Sequence, residues 1–245
     1  YGDFLLDKTD DAVIYVAGLP KIRTQPWEYK AVFSPIDVIE EYIRPVFNVE
    51  GGKVVEKPAL SEPELLDFPE LGTLEAFNTD GLRSMIKNLD IPNMKEKTMR
   101  YPGHIDKVKF LRENGFFRES PVMIDGREVR PMDVTAKLLF PQWELKKDEV
   151  DLTIMKVVVS GEKDGKKTTF TWDMFDKYDP ETRIHSMGRC TGYTATAALR
   201  LLKEGIFNTK GIIAPEILGQ NENSVKFILD ELRKKNIDYR QSIEQ

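Results

Sequence analysis

The sequence has few of the residues that build disulfides and metal sites. Its 245 residues include one cysteine, Cys190, and two histidines, His104 and His185. A single cysteine cannot form an internal disulfide, and three soft ligands are too few for a structural zinc site of the usual Cys/His kind. We therefore expect a fold without cross-links and a protein without a bound metal.

Long apolar runs and an excess of positive charge are missing as well. No segment resembles a signal peptide or a membrane span. The formal net charge is -5, whereas a protein that binds a nucleic-acid backbone needs a basic face. We expect a cytoplasmic protein that binds neither membranes nor nucleic acids. Its 40% hydrophobic content is enough for one large or two modest domains.

Glycine-rich nucleotide-binding motifs are also absent. No Gly-x-Gly-x-x-Gly occurs, so the chain carries no recognisable dinucleotide fingerprint. Residues 161–168 resemble a phosphate-binding loop, but the two glycines are one residue too close and the segment joins two predicted strands. No serine lies in a Gly-x-Ser-x-Gly elbow, so hydrolase chemistry has little support.

The patterns that are present predict an α+β fold. A β-branched run at residues 11–18 predicts a buried strand, and Gly51-Gly52 predicts a hairpin between residues 46–50 and 53–57. Ser34 followed by Pro35 predicts a helix that ends near residue 45. Further strands are predicted at residues 72–78, 93–101, 152–160 and 168–175, and further helices at 81–89, 104–114, 131–140, 191–204 and 223–235.

The run Thr98-Met99-Arg100-Tyr101-Pro102-Gly103-His104 is the main candidate for a binding site. It combines a cation, a phenol, a rigid turn and an imidazole, and a cation beside such a turn can hold a carboxylate through charge-assisted hydrogen bonds. The alternative is a strand that ends in a turn, where the stems of Arg100 and Tyr101 only cover the core. These residues alone leave both interpretations open.

Five blocks of sequence carry a resemblance to a known family. They are Val16-Ala-Gly-Leu-Pro20, Tyr29-Lys-Ala-Val-Phe-Ser34, Gly72-Thr-Leu-Glu-Ala-Phe-Asn-Thr-Asp80, Glu96-Lys-Thr-Met-Arg-Tyr-Pro-Gly-His104 and Ser186-Met-Gly-Arg-Cys-Thr-Gly-Tyr193. Through them, nearly the whole chain resembles the substrate-binding half of the saccharopine dehydrogenase family, and most closely its lysine 6-dehydrogenase group.

This resemblance implies a fold and an assembly. The expected fold is α+β, with a mixed, mostly antiparallel sheet flanked by helices. Residues 1–184 would form a substrate-binding and homodimer-forming domain, and residues 185–245 a helical segment that returns to a nucleotide domain. That Rossmann domain, which would bind NAD or NADP, is expected to precede this chain and is missing from it.

The resemblance also implies a reaction and its residues. Hydride would leave the ε-carbon of L-lysine, or the corresponding carbon of saccharopine, and the imine would be hydrolysed to a semialdehyde. Candidate general bases are His104, whose ordinary pKa is about 6.5, and Asp80. Arg100 would bind the α-carboxylate, while Asn78, Thr79, Thr98 and Tyr101 would line the amino-acid pocket. Structural roles stay open for each of them; Asp80, for example, could cap the following helix.

The segment at residues 188–192 is the candidate contact with the cofactor. It precedes a predicted helix, so its backbone N–H groups could face a carboxylate or a cofactor phosphate. Arg189, Thr191 and Gly192 are the candidate cofactor-binding residues, whereas Cys190 is expected to be a small buried residue and not a catalytic thiol. Two other functions remain open: a non-catalytic oligomerisation or ligand-binding module of the same fold, and a related enzyme that acts on a polyamine derivative.

Overall fold

The structure, a computed structural model, describes residues 1–245. Its helices are α1 (Gly2–Leu5), α2 (Pro35–Ile43), α3 (Met85–Asn88), α4 (His104–Glu113), α5 (Pro131–Trp143), α6 (Ser186–Lys203), α7 (Pro215–Gly219) and α8 (Glu222–Arg233). Its strands are β1 (Lys8–Pro20), β2 (Val46–Glu50), β3 (Lys53–Lys57), β4 (Glu64–Phe68), β5 (Gly72–Asn78), β6 (Asn93–Arg100), β7 (Val122–Ile124), β8 (Arg127–Val129), β9 (Asp151–Lys163), β10 (Lys166–Lys177) and β11 (Tyr239–Glu244). None of the helices combines the length and the hydropathy needed to span a membrane.

Nine of the strands form one mixed sheet around β1. The order is β11-β10-β9-β1-β6-β2-β3, and β5 also pairs with β6 and carries β4 at its other edge. The pairing of β1 with β6 is parallel, while the other pairings in the sheet are antiparallel. Strands β7 and β8 form a separate hairpin. The expectation of a mixed, mostly antiparallel sheet flanked by helices is confirmed.

Local signals in the sequence explain several of these elements. Gly51 and Gly52 have φ values of 57° and 75°, which suit the two-residue turn that joins β2 and β3. Helix α2 begins at Pro35 directly after Ser34, and Arg44 is extended because it precedes a proline. Both elements lie where the sequence predicts them.

Other elements differ from the sequence prediction. The helix predicted at residues 81–89 shrinks to α3, because Arg83 adopts a positive φ of 50° and interrupts the helical turn. Helix α6 begins at Ser186 instead of residue 191. The hairpin of β9 and β10 turns at residues 164 and 165, so Gly161 lies inside β9, where a Cβ would come within 2.0 Å of the Lys8 carbonyl oxygen. Strands β4 and β11 were not predicted.

Two groups of helices cover the same face of the sheet. Helices α2, α4 and α5 pack with Phe77 of β5 in a cluster of 15 buried residues, and Phe77 pairs with Thr98 of β6. At the other side of β1, α6 contacts β9 and β10. The opposite face holds a second cluster that includes Tyr15 and Met99. A groove therefore remains between the two helix groups, above the middle of the sheet.

Candidate functional site

The floor of the groove is a single row of residues that runs across five strands. Thr98 of β6 pairs with Val16 of β1, and Val16 pairs with Met155 of β9. The row continues through Met174 of β10 to Tyr239 of β11. Directly paired residues share one face of a sheet, so this row gives the groove a polar end at β6 and an apolar end at β11.

The polar end contains a cavity of about 430 Å³ with an excess of carboxylates. Its charged lining residues are Asp37, Glu41, Asp80 and Glu96, with Arg44 and Arg83. Helix α2, strand β6 and the loop after β5 supply these side chains. A site with carboxylates and arginines together can hold a small molecule that carries both an ammonium and a carboxylate group.

Glu96 is the most deeply buried acid of this cavity, with 6% of its surface exposed. Its Oε2 accepts a hydrogen bond of 2.6 Å from the hydroxyl of Thr79, which lies 2.8 Å from the Thr98 hydroxyl. Burial raises the pKa of Glu96 from 4.5 to about 8, although the bond from Thr79 opposes the shift. Such a carboxyl can gain and lose a proton near neutral pH.

Arg100 lies four residues beyond Glu96 on β6 and contacts a neighbouring cavity of about 370 Å³. Its Nη2 is 3.3 Å from Glu41 Oε2, its Nη1 donates to the carbonyl of Met99, and its guanidinium carbon lies 4.6 Å above the ring of Tyr29. One hydrogen on each terminal nitrogen has no protein partner. The guanidinium is thus held in place while two donors stay free for a ligand.

The position of His104, one of the two candidate general bases, argues against that role. His104 is 1% exposed, its Nδ1 lies 3.1 Å from the carbonyl oxygen of Trp27, and its Nε2 lies 3.1 Å from the hydroxyl of Tyr42. Burial and the nearby charge of Arg100 lower its pKa to about 3. The ring is sealed in the core, and neither nitrogen can reach a ligand in the groove.

Two predicted pocket residues lie on the opposite face of the sheet. Asn78 pairs with Lys97, and its side-chain amide donates to the hydroxyl of Ser61. Tyr101 is 3% exposed and donates its hydroxyl to the carbonyl of Pro20. Because side chains alternate along a strand, neither can join Thr98 at the groove. Their predicted role in lining the pocket is therefore wrong.

Four of the predicted residues do meet at the groove. Thr79, Asp80 and Thr98 line the cavity at its polar end, and Arg100 lines the neighbouring one. Asp80 also lies 3.1 Å from the guanidinium of Arg83. This ion pair is partly exposed, so Asp80 remains accessible from the cavity.

Of the predicted cofactor contact at residues 188–192, the structure contradicts the role of Arg189. The segment lies inside α6, where the N–H of Arg189 bonds to the carbonyl of His185, and the first turn is capped by Asp151, which accepts from the N–H groups of Ser186 and Met187. Arg189 is 6% exposed and directs its donors to Asp176, Asp179 and a backbone carbonyl. The guanidinium of Arg189 is therefore engaged by protein groups and is not directed at a phosphate at the helix start.

Thr191 and Gly192 have different surroundings from Arg189. The hydroxyl of Thr191 donates to the carbonyl of Met187, yet the residue lines two of the cavities in the groove. Gly192 is exposed on α6, with no atom within 4 Å of the position that a Cβ would occupy. Only Thr191 therefore borders the groove.

The apolar end of the groove is a cavity of about 780 Å³ beneath α6 and α7. Met155, Met174 and Met187 line it together with Cys190. Burial, aided by the nearby carboxylate of Asp176, raises the pKa of the Cys190 thiol to about 12. The thiol stays protonated at neutral pH, which makes Cys190 part of the apolar wall.

Glu41 and Glu96 are among the residues of the site that were missed in the sequence. Glu96, Thr98 and Arg100 alternate along β6, so period 2 along a strand already assigns all three to one face. Glu41 has no comparable signal, because its position beside Arg100 depends on how α2 packs on the sheet. No cluster of three or more His, Cys, Asp or Glu side chains has the arrangement of a metal site.

The mixed sheet and the charged groove on its helical face define an α+β domain suited to binding a small charged ligand. Residues 5–237 match the family described as the saccharopine dehydrogenase C-terminal domain. The chain belongs to this family, and the family resemblance carried by the five sequence blocks is confirmed.

Two solved structures share the fold. Apo saccharopine dehydrogenase (L-Glu forming) from Saccharomyces cerevisiae is 15% identical, with a TM-score of 0.77 over 97% of this chain and 68% of that protein. The homospermidine synthase of Legionella pneumophila, solved in complex with NAD, is 12% identical, with a TM-score of 0.58 over 98% of this chain and 53% of that protein. The chain thus spans about half the length of the second protein.

Proposed function

We propose that this chain is the substrate-binding part of an NAD(P)-dependent oxidoreductase that acts on the amine of L-lysine or saccharopine. The proposal rests on the cavity that the buried acid Glu96 lines. Arg100 lies on the same strand as Glu96. The chain has no phosphate-binding loop of its own, so a nucleotide domain outside these residues would bind most of the cofactor. NAD(P), when bound, accepts the hydride.

In this proposal the substrate is held by its α-carboxylate and by the amine that reacts. The free donors of Arg100 bind the carboxylate, and Glu41 and Asp80 attract the ammonium group. Glu96 then removes a proton from the ammonium, because only a neutral amine releases hydride readily from the adjacent carbon. The ammonium itself favours the ionised form of Glu96 and so brings its pKa toward neutral. The resulting imine is hydrolysed by water to the semialdehyde and ammonia or an amine.

The comparisons support this proposal at the level of the family. The matched domain family is named after a dehydrogenase, and the second structural neighbour was solved with NAD. Both neighbours are longer than the matched region, which is compatible with a separate nucleotide domain.

We further propose a homodimer in the cytoplasm. Sedimentation of the complete enzyme tests this assembly, and a monomeric mass would contradict it.

The experiment is turnover of L-lysine and saccharopine, with NAD and with NADP, by the complete enzyme that contains this chain. Arg100→Ala should raise the KM for L-lysine at least about tenfold, since a charge-assisted bond contributes roughly 1.5 to 3 kcal/mol. The control substrate is 1,5-diaminopentane, which lacks the carboxylate, and its KM should not change. An unchanged KM and kcat for L-lysine would refute the role of Arg100, and no turnover of either amino acid would refute the substrate.

A polyamine derivative is the second candidate substrate, because carboxylates outnumber arginines in the polar cavity. A polyamine carries ammonium groups and no carboxylate, so its turnover should be insensitive to Arg100→Ala. A non-catalytic module of the same fold, the third alternative, would bind one of these ligands without hydride transfer. The same turnover assays therefore distinguish the three functions.

A further inference from the structure

We propose that His104 is a positioning residue that orients Arg100 toward the substrate carboxylate through the hydroxyl of Tyr42. The proposal rests on the proposed function, since it takes Arg100 as the carboxylate-binding residue. Three consecutive contacts connect the groups: Arg100 Nε to Tyr42 Oη at 3.2 Å, Tyr42 Oη to His104 Nε2 at 3.1 Å, and His104 Nδ1 to the Trp27 carbonyl oxygen at 3.1 Å.

The direction of each hydrogen bond follows from the chemistry of the groups. The Trp27 carbonyl only accepts, so Nδ1 of His104 carries the hydrogen. In a neutral imidazole Nε2 then has a free lone pair and accepts the hydroxyl hydrogen of Tyr42. The Tyr42 oxygen consequently turns its lone pairs to Arg100 Nε, which donates to it. Which nitrogen of His104 is protonated thus determines whether the Tyr42 oxygen can accept a hydrogen bond from Arg100.

The surroundings of His104 maintain this neutral form. The rings of Trp27, Tyr29, Tyr42 and Trp143 lie 5.1 to 6.4 Å from the imidazole. The nearby charges of Arg100 and Lys107 both disfavour an imidazolium. A protonated ring would direct a second donor at the Tyr42 oxygen and break the sequence of bonds.

The hydroxyl of Tyr42 matters because Arg100 has almost no room to find another partner. The residue is 2% exposed, and its Nη1 and Nη2 already donate to Met99 and Glu41. Without the Tyr42 oxygen, the Nε hydrogen is a buried donor without an acceptor. Loss of this bond frees the Nε side of the guanidinium, so its two free donors are no longer held in one orientation at the cavity.

A pair of conservative variants separates this role from simple packing. In His104→Gln the side-chain carbonyl reaches the place of Nε2 and can still accept from Tyr42, whereas in His104→Asn the shorter amide reaches only the place of Nδ1. In the complete enzyme, His104→Asn and Tyr42→Phe should each raise the KM for L-lysine about tenfold with little change in kcat. His104→Gln should recover most of this loss.

The controls separate failure of this proposal from failure of the proposed function. The KM for 1,5-diaminopentane should stay constant in all these variants, and His185→Gln, at the other histidine, should leave the KM for L-lysine unchanged. If Arg100→Ala has no effect on that KM, the proposed function fails. If Arg100→Ala acts but Tyr42→Phe does not, or if His104→Gln is no better than His104→Asn, only the positioning role fails.

A spectroscopic measurement tests the geometry without any substrate. The 245-residue chain has two histidines, so isotope-labelled histidine gives two imidazoles, which His185→Gln assigns. His104 should show the neutral form with hydrogen on Nδ1 from about pH 5 to about pH 8. Hydrogen on Nε2, or an ordinary titration in this range, overturns the proposal even where no substrate is turned over.

Discussion

Glu96 shows at the scale of one residue how a buried carboxyl links activity to pH. Its pKa is raised from 4.5 to about 8, mainly by burial. If Glu96 is the base, kcat/KM in the complete enzyme should rise with pH up to about 8 and then level off. Glu96→Gln should abolish this rise of kcat/KM with pH and lower kcat by about a hundredfold or more. A pH profile that is the same in the variant would contradict the assignment.

The same shift in pKa has a consequence for stability. The folded state holds the Glu96 proton up to about pH 8, while the unfolded state releases it near pH 4.5. The contribution of Glu96 is therefore fully present below pH 4.5 and is lost as the pH rises through 8. Denaturant unfolding at several pH values should show a smaller decline for Glu96→Gln over this window than for the wild type.

Residue types alone identified part of the site. Arg100 could be singled out because a cation beside a Pro-Gly turn can hold a carboxylate, and the structure places it at a cavity of the groove. His104, four residues later, has an equally reactive side chain, yet α4 turns it into the aromatic cluster. Sequence does not encode this difference locally, since it depends on Trp27 and Trp143 from distant segments.

At the scale of the elements, the effect of replacing a glycine by alanine depends on the space around it. Gly81 lies in the loop before α3, where a Cβ would come within 2.4 Å of the Glu96 carboxylate. Gly81→Ala should lower the free energy of unfolding by about 1 to 3 kcal/mol, because Thr79 already holds that carboxylate. Thermal unfolding provides the measurement.

Gly192→Ala is the matched control for that substitution. Gly192 lies in the interior of α6, exposed and free of close neighbours. Alanine there should stabilise the protein by about 0.5 to 1 kcal/mol, since glycine is a poor residue for a helix interior. Equal changes in the free energy of unfolding for the two substitutions would show that the Glu96 side chain does not require a glycine at position 81.

Elements with local signals were predictable, and elements defined by tertiary contacts were not. The β2–β3 hairpin has its turn residues in the sequence, as does the start of α2. Strand β11 is mostly exposed and exists because it pairs with the edge of β10. The first turn of α6 likewise depends on Asp151 of β9, 35 residues earlier in the chain.

At the scale of the whole molecule, Val16 connects the polar and apolar ends of the groove, because it lines all three cavities. Saccharopine is longer than lysine and should extend further along the groove. Val16→Leu should therefore raise the KM for saccharopine about tenfold and affect L-lysine less, as one added methylene in a pocket contributes roughly 1 to 3 kcal/mol.

Val13→Leu provides the control for Val16→Leu. It makes the same change of size on β1, but Val13 packs with the cluster on the opposite face of the sheet. Steady-state kinetics of both variants with both substrates should show a selective loss only for Val16→Leu. The same relative change in KM for lysine and saccharopine would mean that the longer substrate does not extend past Val16 along the groove.

The position of β1 at the centre of the sheet also affects how the protein folds during its synthesis. This strand leaves the ribosome before its partners β6 and β9, which begin at residues 93 and 151. Until they are synthesised, both edges of an apolar strand lack hydrogen-bond partners, and such edges are prone to aggregation. The protein should consequently fold slowly and late, and its yield should depend on chaperones that shield β1 during translation.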